Sequence, residues 1–278
     1  MRDFDGRVVA VTGAANGIGR EMALAFSRRG ARLALADIDA QGIRRVRGEL
    51  EALGCEVYAQ LVDVSRAADV GSFCDRVYRE MGRADVLCNN AGVAVAGDFG
   101  DLTLEDLRWL VGVNLWGVIH GCHYFYPRMV EQGGGHIVNT ASAAGLIPFA
   151  SLAIYSASKH GVVGLSETLR AEAALHGVGV TVICPGVIAT DIVKWSRVRS
   201  GSRRSAPGDM AAKADRMLQA RGYTPDRVAA AVVKAVEENK GVARITPEAY
   251  LLDWLHRLSR RLFGFGMRSA ARAAQAFL

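Results

Sequence analysis

Hydrophobic and polar positions along the chain follow two alternating patterns. Seven short runs are rich in valine, isoleucine and leucine, and several of them are apolar almost throughout, which is typical of strands covered on both faces. They occupy residues 7–12, 31–37, 56–62, 85–89, 136–141, 179–184 and about 242–246. Between them, apolar residues recur at helical spacing over residues 17–29, 40–53, 66–81, 103–131, 152–176 and 224–238.

This alternation of strands and helices predicts an α/β fold. Strands that are each followed by a helix form a doubly wound parallel sheet of the Rossmann type, here of about seven strands, with helices on both faces. No segment repeats, and only residues 194–213, polar and without period, interrupt the pattern. We therefore expect a single domain over residues 1–246, followed by a C-terminal amphipathic helical extension over residues 247–278.

Composition excludes several other classes of protein. Half of the residues (50%) are hydrophobic, which argues against disorder, yet no apolar run approaches the ~20 residues that cross a membrane. The five cysteines, at positions 55, 74, 88, 122 and 184, form no C-x-x-C pair, as in proteins with reduced cysteines. Residues 1–6 lead directly into the first strand without the features of a secretory signal. We therefore expect a cytoplasmic protein.

A glycine-rich loop follows the first strand and opens the first helix. Residues 12–19 read Thr-Gly-Ala-Ala-Asn-Gly-Ile-Gly, with glycines at positions 13, 17 and 19. Glycines permit a tight turn and a close backbone approach to a pyrophosphate, and the helix N-terminus offers N–H groups to its phosphates. The spacing is G-x-x-x-G-x-G and differs from the commoner G-x-G-x-x-G, so an ordinary strand-to-helix turn stays open as the alternative.

The ends of the next two strands carry aspartates that suit the adenosine half of a dinucleotide. Asp37 lies 18 residues after Gly19, where a carboxylate accepts hydrogen bonds from ribose hydroxyls and repels a 2′-phosphate. Its neighbour Ile38 offers no positive charge to such a phosphate, so we expect NAD as the cofactor. Asp63 is placed to bind the adenine amino group. The alternative for Asp37 is a helix cap, a role that Asp39 fits equally well.

Tyr155 and Lys159 are the candidate catalytic pair, because they lie four residues apart on one face of a predicted helix. A free phenol has a pKa of ~10, too high for a base at neutral pH, and a nearby ammonium lowers it. Ser142 ends the fifth strand 13 residues earlier, at the edge where open α/β sheets bind ligands. A Y-x-x-x-K spacing alone is common by chance, but with Ser142 it indicates a catalytic centre.

Six motifs agree in order and spacing with one enzyme family. They are the loop of residues 12–19, Asn89-Asn90-Ala91-Gly92 after the fourth strand, Asn114, Ser142, the Tyr155/Lys159 pair, and Pro185-Gly186 after the sixth strand. Over residues 5–245 or so, the chain resembles the short-chain dehydrogenase/reductase family. The resemblance implies an oxidoreductase whose single domain both binds the dinucleotide and carries the catalytic residues.

The resemblance also implies a role for each matching residue. Tyr155 exchanges a proton with the alcohol or carbonyl oxygen, while Lys159 lowers the pKa of that tyrosine and binds the nicotinamide ribose. Ser142 orients the substrate, and Asn114 holds a water that links Lys159 to solvent. The expected cofactor contacts are Gly13, Asn16, Gly17, Ile18, Gly19, Asp37, Asp63, Val64, Asn90, Ala91, Gly92, Tyr155, Lys159, Pro185, Gly186, Ile188 and Thr190.

These residues predict an enzyme that transfers a hydride between NAD and a secondary alcohol or ketone, on a fairly apolar small-molecule substrate. Two alternatives stay open: an NADP-dependent carbonyl reductase, and a catalytically silent dinucleotide-sensing protein of the same fold. His120 and His123 are too few ligands for a metal site, so no metal is expected. No nucleic-acid-binding module is recognisable. We expect a homo-oligomer, a dimer or tetramer, although the Asp-Gly-Gly turn common in tetrameric members is missing beside the last strand.

Positive charge is concentrated towards the C-terminus. Residues 1–193 hold 17 Lys/Arg and 21 Asp/Glu, a balance of −4, whereas residues 194–278 hold 17 and 7, a balance of +10. Such a basic segment suits an anionic partner or remains solvated. It includes residues 194–222, where the family places its substrate loops, so the resemblance does not name the substrate.

The C-terminal extension predicts two amphipathic helices. Thr246, Pro247 and Glu248 form a helix start, and residues 264–266 (Gly-Phe-Gly) are expected to end that helix before a second one. A stripe of leucines at 251, 255, 258 and 262 is bordered by Trp254, with Asp253, Arg257 and Arg260 on the far side. The stripe either packs on the body or a partner subunit, or makes peripheral contact with an anionic membrane.

Overall fold

Seven strands form one parallel sheet at the centre of the molecule. The computed structural model describes residues 1, 3–189, 191–199 and 223–276. The strands of the central sheet are β1 (Val8–Thr12), β2 (Arg32–Asp37), β3 (Val57–Leu61), β4 (Val86–Asn89), β6 (Gly135–Thr140), β7 (Val178–Cys184) and β9 (Val242–Arg244). A second, small sheet consists of β5 (Val95–Ala96) and β8 (Arg197–Val198). The central strands β1 and β4 are buried throughout, which explains their unbroken apolar sequences.

Helices cover both faces of the central sheet. Within the described residues they are α1 (Gly17–Ser27), α2 (Ala40–Ala52), α3 (Ala67–Met81), α4 (Leu104–Val111), α5 (Gly117–Glu131), α6 (Ala153–Ala173), α7 (Pro225–Glu237), α8 (Pro247–Leu258) and α9 (Arg260–Ala276). One hydrophobic core lies between the sheet and α3, α5 and α6, around Phe73 and Phe125. The other lies under α1, α2 and α7, around Met22, Val46 and Val232.

The order of the strands creates a crevice at one edge of the sheet. The strands lie in the order β3-β2-β1-β4-β6-β7-β9, and all neighbours are parallel. The chain winds outward from β1 to β3 and then returns to β4 on the other side of β1, so the loops after β1 and β4 diverge. Ligands of open α/β sheets bind at such a point. The predicted doubly wound α/β fold is confirmed.

Two local features differ from the prediction. The helix expected over residues 103–131 runs as α4, a π-helical turn at Gly112–Trp116 and α5, and the turn carries Asn114. In the segment 194–213, expected to be irregular, β8 pairs with β5. A strand of two residues is too short to show a period in the sequence. Residues 200–213 of that segment lie outside the described part.

The C-terminal extension divides at Ser259. The predicted break at residues 264–266 is wrong, because both glycines lie inside α9, where glycine costs only about 1 kcal/mol relative to alanine. Ser259 instead takes an extended conformation (φ −156°, ψ 99°), and its Oγ accepts a hydrogen bond from the Leu262 N–H at 3.3 Å. A serine before a run of helix formers is itself a start signal for a helix.

Helix α8 packs on the body with the side opposite to its leucines. Asp253, expected on the solvent side, is 3% exposed and accepts hydrogen bonds from Arg244 and Arg257. The four leucines of the stripe are 39–73% exposed. Among the described helices, none combines the length and the apolarity needed to span a bilayer. The interpretation in which the stripe packs on the body is therefore wrong, whereas contact with a partner subunit or a membrane stays open.

Candidate active site

The loop between β1 and α1 is so closely packed that two of its positions require glycine. Gly13 has a φ of +65°, and a Cβ added to it would lie 2.7 Å from the Ala91 Cα. A Cβ on Gly19 would collide with the Gly13 carbonyl oxygen, so the turn requires glycines. Asn16 precedes α1 without capping it through its side chain, and the first turn, with Gly17 and Ile18, holds no acidic residue. The N–H groups of this turn suit an anion, and the loop therefore fits the pyrophosphate of a dinucleotide.

Asn90 and Thr12 bind this loop to the next strand of the sheet. The Asn90 amide donates to the carbonyl oxygens of Thr12 (3.1 Å) and Gly13 (3.2 Å). The Thr12 hydroxyl accepts from the N–H groups of Asn90 (3.0 Å) and Ala91 (3.2 Å). Asn90 thus braces the glycine-rich loop. The part played by the Thr12 hydroxyl was not foreseen from the sequence, where a threonine ending a strand carries no distinctive signal.

Asp37 and Asp39 make different contacts, and of the two it is Asp39 that caps α2. The Asp39 side chain accepts hydrogen bonds from the N–H groups of Gln41 and Gly42 and so caps α2. Asp37 is partly exposed and accepts from the N–H groups of Ala15 (2.8 Å) and Asp39 (2.9 Å). Burial raises the pKa of Asp37, and the backbone hydrogen bonds oppose that rise. Its two oxygens have further acceptor capacity beside the glycine-rich loop.

Asp63 and Val64 follow β3 and are tied to neighbouring elements. Asp63 accepts hydrogen bonds from the N–H (3.0 Å) and the hydroxyl (2.7 Å) of Ser65. The Val64 carbonyl oxygen lies 2.9 Å from Nδ1 of His120 in α5. One of the two histidines that the sequence offered as metal ligands is thus engaged by the backbone. Across the described ranges, no group of three or more His, Cys, Asp or Glu is arranged to hold a metal ion.

Ser142, Tyr155 and Lys159 come together where β6 ends. Ser142 caps a 3-10 turn at Ala143–Gly145, and its side chain lies close enough to the Tyr155 phenol to influence the pKa of that phenol. One turn further along α6, Lys159 Nζ lies 5.8 Å from the centre of the Tyr155 ring and donates to the Thr140 carbonyl oxygen at 2.8 Å. The structure therefore places three of the four predicted catalytic side chains in one site, with the lysine held by β6.

Burial shifts the pKa values of both ionisable groups in this site. It lowers the pKa of Lys159, which is 3% exposed, to about 8. It raises the pKa of Tyr155, and the hydrogen bond with Ser142 opposes the rise. Lys159 directs its ammonium to the Thr140 carbonyl oxygen. A lowered pKa requires a further positive charge near the phenol.

Asn114, the fourth predicted catalytic residue, is fully buried in the π-helical turn. Its Oδ1 accepts from the Val93 N–H (2.8 Å), and its Nδ2 donates to the Val93 carbonyl oxygen (2.9 Å). A Cβ on Gly92 would lie 3.4 Å from Asn114 Oδ1 and 3.6 Å from Lys159 Nζ. Asn114 therefore holds the backbone after Gly92 close to the lysine. Its predicted water relay stays a prediction.

The loop after β7 borders the site on its other side. The Pro185 carbonyl oxygen accepts a hydrogen bond from the Ala143 N–H at 2.7 Å, which joins this loop to the turn after Ser142. Ile188 is 5% exposed and belongs to the core under α7. Thr190, the last of the predicted cofactor contacts, lies outside the described residues.

The first turn of α8 also touches this loop, a contact that the sequence did not reveal. Glu248 Oε1 accepts from the Val187 N–H at 3.3 Å. A Cβ on Gly186 would collide with Glu248 and with the Thr246 hydroxyl. Thr246 is fully buried, and its hydroxyl has no hydrogen-bond partner among the residues that the structure describes. The C-terminal extension thus begins against the loop that is predicted to frame the nicotinamide.

A network of buried asparagines links the strands beneath the site. Asn89 at the end of β4 donates to Asn139 Oδ1 (2.9 Å), and Asn139 donates to Ser166 Oγ (2.9 Å) in α6. Each of the three residues is at most 1% exposed. This network fixes β4, β6 and α6 relative to one another. An asparagine in an otherwise apolar strand is the signal in the sequence that could have indicated this network. Asn89 entered the sequence analysis only as part of the Asn89-Asn90-Ala91-Gly92 motif.

A buried carboxylate, Asp106, anchors β8 and the residue that follows it. It forms a capping box with Thr103 and accepts hydrogen bonds from Arg197 (3.1 Å) and Arg199 (2.9 Å). The Arg197 guanidinium lies 4.2 Å from the centre of the Trp109 ring. The Arg199 hydrogen bond, above all, holds the pKa of Asp106 well below its usual range. The sequence gave no sign of these pairs, since 91 residues or more separate the partners.

Asp106→Asn is expected to lower the free energy of unfolding by about 1–3 kcal/mol. The amide keeps the shape of the side chain but removes the counter-charge of Arg199, which is 45% exposed, and leaves Arg197, which is 32% exposed, with Glu105 as its carboxylate partner. Because the folded-state pKa is depressed, this contribution is present above the pKa of the unfolded carboxyl and is lost only as the pH falls towards the depressed value. Urea denaturation at neutral pH measures the difference.

The matched control is Asp75→Asn. Asp75 also pairs with an arginine, Arg128, but its side chain is 67% exposed. Exposed pairs contribute little, so its removal is expected to change the free energy of unfolding by less than about 1 kcal/mol. Equal losses in the two variants would show that Asp106 is no special anchor.

Comparison with known proteins agrees with this geometry. The family model described as short chain dehydrogenase matches residues 7–200. The chain belongs to the short-chain dehydrogenase family. Proteins of this family are dehydrogenases, and one solved relative was crystallised with NAD.

Individual relatives extend the match beyond the family model. Probable oxidoreductase EphD of Mycobacterium tuberculosis is 42% identical over 97% of this chain, which spans only 45% of EphD. The chain therefore covers less than half of that relative. Putative oxidoreductase SadH of the same species is 34% identical over 93% of this chain and 92% of its own length. A short-chain dehydrogenase from Burkholderia phymatum, crystallised in complex with NAD, is 34% identical, with a TM-score of 0.87 over 94% of this chain and 96% of that one.

Proposed function

We propose that this chain is an NAD-dependent dehydrogenase that transfers a hydride between NAD and a secondary alcohol or ketone, with Tyr155 as acid and base. The observation that carries the proposal is the meeting of Ser142, Tyr155 and Lys159 at the carboxyl end of β6. The glycine-rich loop, with its uncapped helix N-terminus, supports the dinucleotide half of the proposal.

The dinucleotide, when bound, supplies the hydride acceptor or donor, and the side chains handle the proton. In the oxidative direction Ser142 and Tyr155 bind the substrate hydroxyl. The ionised phenol takes the hydroxyl proton as the carbon loses its hydride, so the carbon is oxidised by two electrons and a carbonyl forms. Lys159 is protonated below about pH 8. Its charge favours the phenolate once the binding of substrate or cofactor weakens the hydrogen bond from Lys159 to the Thr140 carbonyl oxygen. In the reductive direction Tyr155 returns the proton.

We propose a fairly apolar substrate for this site. Residues 143–150, which follow Ser142 directly, read Ala-Ala-Gly-Leu-Ile-Pro-Phe-Ala and contain no polar side chain. Leu146 and Ile147 of this loop are buried. A substrate beside such a loop gains from apolar contact more than from hydrogen bonds. The substrate hydroxyl or ketone is then the group that Ser142 and Tyr155 recognise.

A panel of alcohols tests this function. Steroid, retinoid, aliphatic and sugar alcohols are offered with NAD, and NADH absorbance reports turnover. We expect at least one apolar secondary alcohol to be oxidised and sugar alcohols to be poor substrates. Cofactor binding without turnover of any alcohol, or of the matching ketones with NADH, would favour the dinucleotide-sensing alternative.

The preference for NAD is proposed to rest on Asp37. Its carboxylate accepts ribose hydroxyls and repels a 2′-phosphate, so Asp37→Ala is expected to weaken NAD binding by roughly 5- to 150-fold, or 1–3 kcal/mol. NADP binding, which lacks the favourable contact, is expected to stay unchanged or improve. Titration of the protein with each cofactor measures both affinities.

Two further variants sharpen this test. Asp39→Ala removes the cap of α2 but is expected to leave the ratio of NAD to NADP affinity unchanged. Arg45, which donates to the Ala15 carbonyl oxygen at 2.9 Å, is the observation that favours NADP, because it places a guanidinium near the same loop. Two results together would favour the NADP alternative: the natural protein uses NAD and NADP equally, and Arg45→Ala loses NADP binding. They would contradict the proposal that Asp37 gives a preference for NAD.

A further inference from the structure

The C-terminal extension exposes a concentrated set of large apolar side chains. In the part of the chain that the structure describes, 15 such side chains are exposed, and seven of them lie within residues 250–265. We call these seven the tail surface: Tyr250, Leu251, Trp254, Leu255, Leu258, Leu262 and Phe265, with 39–73% of each side chain exposed. Those on α8 recur at spacings of three and four residues and therefore share one side of the helix. Contiguous apolar surface of this kind is typical of a binding face.

The tail surface faces outward because of the contacts on the other side of α8. Asp253 is 3% exposed and accepts hydrogen bonds from Arg244 at 2.7 Å and Arg257 at 2.9 Å. Ala249, one turn earlier on the same side, is also buried. Rotation of α8 to bury its leucines would separate the Asp253 carboxylate from Arg244 of β9, whereas the pair with Arg257 lies within the helix itself. The polar contacts thus fix which side of the helix is presented.

From residue 254 onwards, the charged residues beside the tail surface are all arginines. Residues 254–278 contain five arginines and no aspartate or glutamate. Among them Arg260, Arg261 and Arg268 are exposed on α9, next to the tail surface residues of the same helix. An apolar helix side flanked by arginines is complementary to a partner that has an apolar interior and negatively charged groups at its surface. The interface of a bilayer with anionic headgroups has this chemistry.

A second copy of this chain fits the tail surface less well. In a two-fold interface the same patch of both copies meets face to face. The arginines of one copy would then approach those of the other, and residues 254–278 provide no carboxylate to offset them. Like charges brought together in this way oppose association.

The tail surface lies next to the entrance of the active site. Helix α8 begins directly after β9, at the carboxyl edge of the sheet. Its first turn contacts the loop after β7 through Glu248 and the Val187 N–H. Binding of the tail surface to a partner would therefore hold the substrate crevice close to that partner.

We propose that the tail surface binds the interfacial region of anionic lipid bilayers, with the apolar side chains entering between headgroups and the arginines contacting phosphates. This places the active site at the membrane, where apolar alcohols and ketones concentrate. The binding itself does not depend on the chemistry proposed for Tyr155, so vesicle binding and turnover succeed or fail separately.

The test is co-sedimentation of the full-length protein with vesicles. Phosphatidylcholine vesicles containing phosphatidylglycerol are compared with pure phosphatidylcholine at low and high salt. We expect binding to the anionic vesicles at low salt, weaker binding at high salt, and little binding to the neutral ones. Emission from Trp254 is expected to shift to the blue on binding, and Trp254→Phe is expected to abolish that shift.

Matched variants separate the tail surface from general stickiness. Arg260→Gln with Arg261→Gln is expected to weaken binding about 30-fold, since each arginine contributes about fivefold near an anionic surface. The control pair is Arg76→Gln with Arg79→Gln on α3, where both arginines are also exposed, and it is expected to change binding little.

An apolar pair of variants completes the test. Leu258→Ser is expected to weaken binding at least roughly tenfold, the scale of one buried leucine. Leu175→Ser is the control, because Leu175 is 84% exposed but lies outside the tail surface. The proposal is overturned if no vesicle binds, if all variants bind alike, or if binding to neutral vesicles is equally strong. Concentration-dependent dimers that Leu258→Ser abolishes, without vesicle binding, would assign the surface to a second copy and also overturn it.

Discussion

Tyr155→Phe is expected to lower kcat by at least ~10²–10⁴ while cofactor binding survives. Phenylalanine keeps the ring and its packing in α6 and removes only the hydroxyl that exchanges the proton. Steady-state formation of NADH from an alcohol that the natural protein oxidises gives kcat, and quenching of NADH fluorescence gives the affinity for the cofactor. The loss is expected in the chemical step and not in the fold, because the substitution removes one hydroxyl and keeps the aromatic ring.

Tyr126→Phe is the matched control for this substitution. Tyr126 lies in α5, is partly buried, and packs its ring 6.5 Å from that of His176, away from the site. Loss of its hydroxyl is expected to change kcat less than about twofold, since surface changes far from the chemistry are nearly neutral. Near-normal turnover in Tyr155→Phe would remove the tyrosine from the mechanism, whatever the outcome for Tyr126→Phe.

Lys159→Met is expected to produce the second large loss of kcat, of about 10²-fold or more, and to move the pH profile of oxidation. Burial already lowers the pKa of Lys159 to about 8, so the charged side chain is costly to bury and the methionine variant is expected to fold. Without the ammonium the phenolate loses its stabilising charge. The kcat of oxidation measured against pH reports the change.

The direction of the pH effect follows from the two pKa shifts. Burial raises the pKa of Tyr155, and the positive charges of Lys159 and of oxidised nicotinamide must reverse that rise for the phenol to act as a base. In the natural protein we expect kcat of oxidation to rise with pH through a pKa below the ~10 of a free phenol. In Lys159→Met the same rise is expected at higher pH. A profile that is identical in both proteins would exclude the lysine from tuning the tyrosine.

Much of the fold and of the site was predictable from the sequence. Strands such as β1 and β4 are buried on both faces, so their position shows as an unbroken apolar run. The predicted residues at the carboxyl ends of β1, β4 and β6 meet because parallel strands end at one edge. The proximity of Ser142 and Tyr155 follows from that rule together with the start of α6.

The features that escaped prediction depend on partners far away in the chain. Asp106 is bound by Arg197 and Arg199 across more than 90 residues, and no local pattern marks such a pair. The sequence left open whether the leucine stripe packs on the body, on a partner subunit or on a membrane, although apolar stripes usually face the protein core. A buried Asp253 on the opposite side of α8 reverses that orientation, through Arg244 of the neighbouring strand. Helical periodicity shows which residues share a side but not which side meets the protein.

The most direct test of the account is the fate of the hydrogen on the substrate carbon. A secondary alcohol deuterated at that carbon is incubated with NAD, and the nicotinamide product is analysed by mass spectrometry for the natural protein and for Tyr155→Phe. We expect NADH that carries one deuterium, formed by the natural protein and at least ~100-fold more slowly by the variant. Unlabelled NADH, or labelled NADH formed equally fast by both proteins, would contradict hydride transfer with Tyr155 as the acid and base.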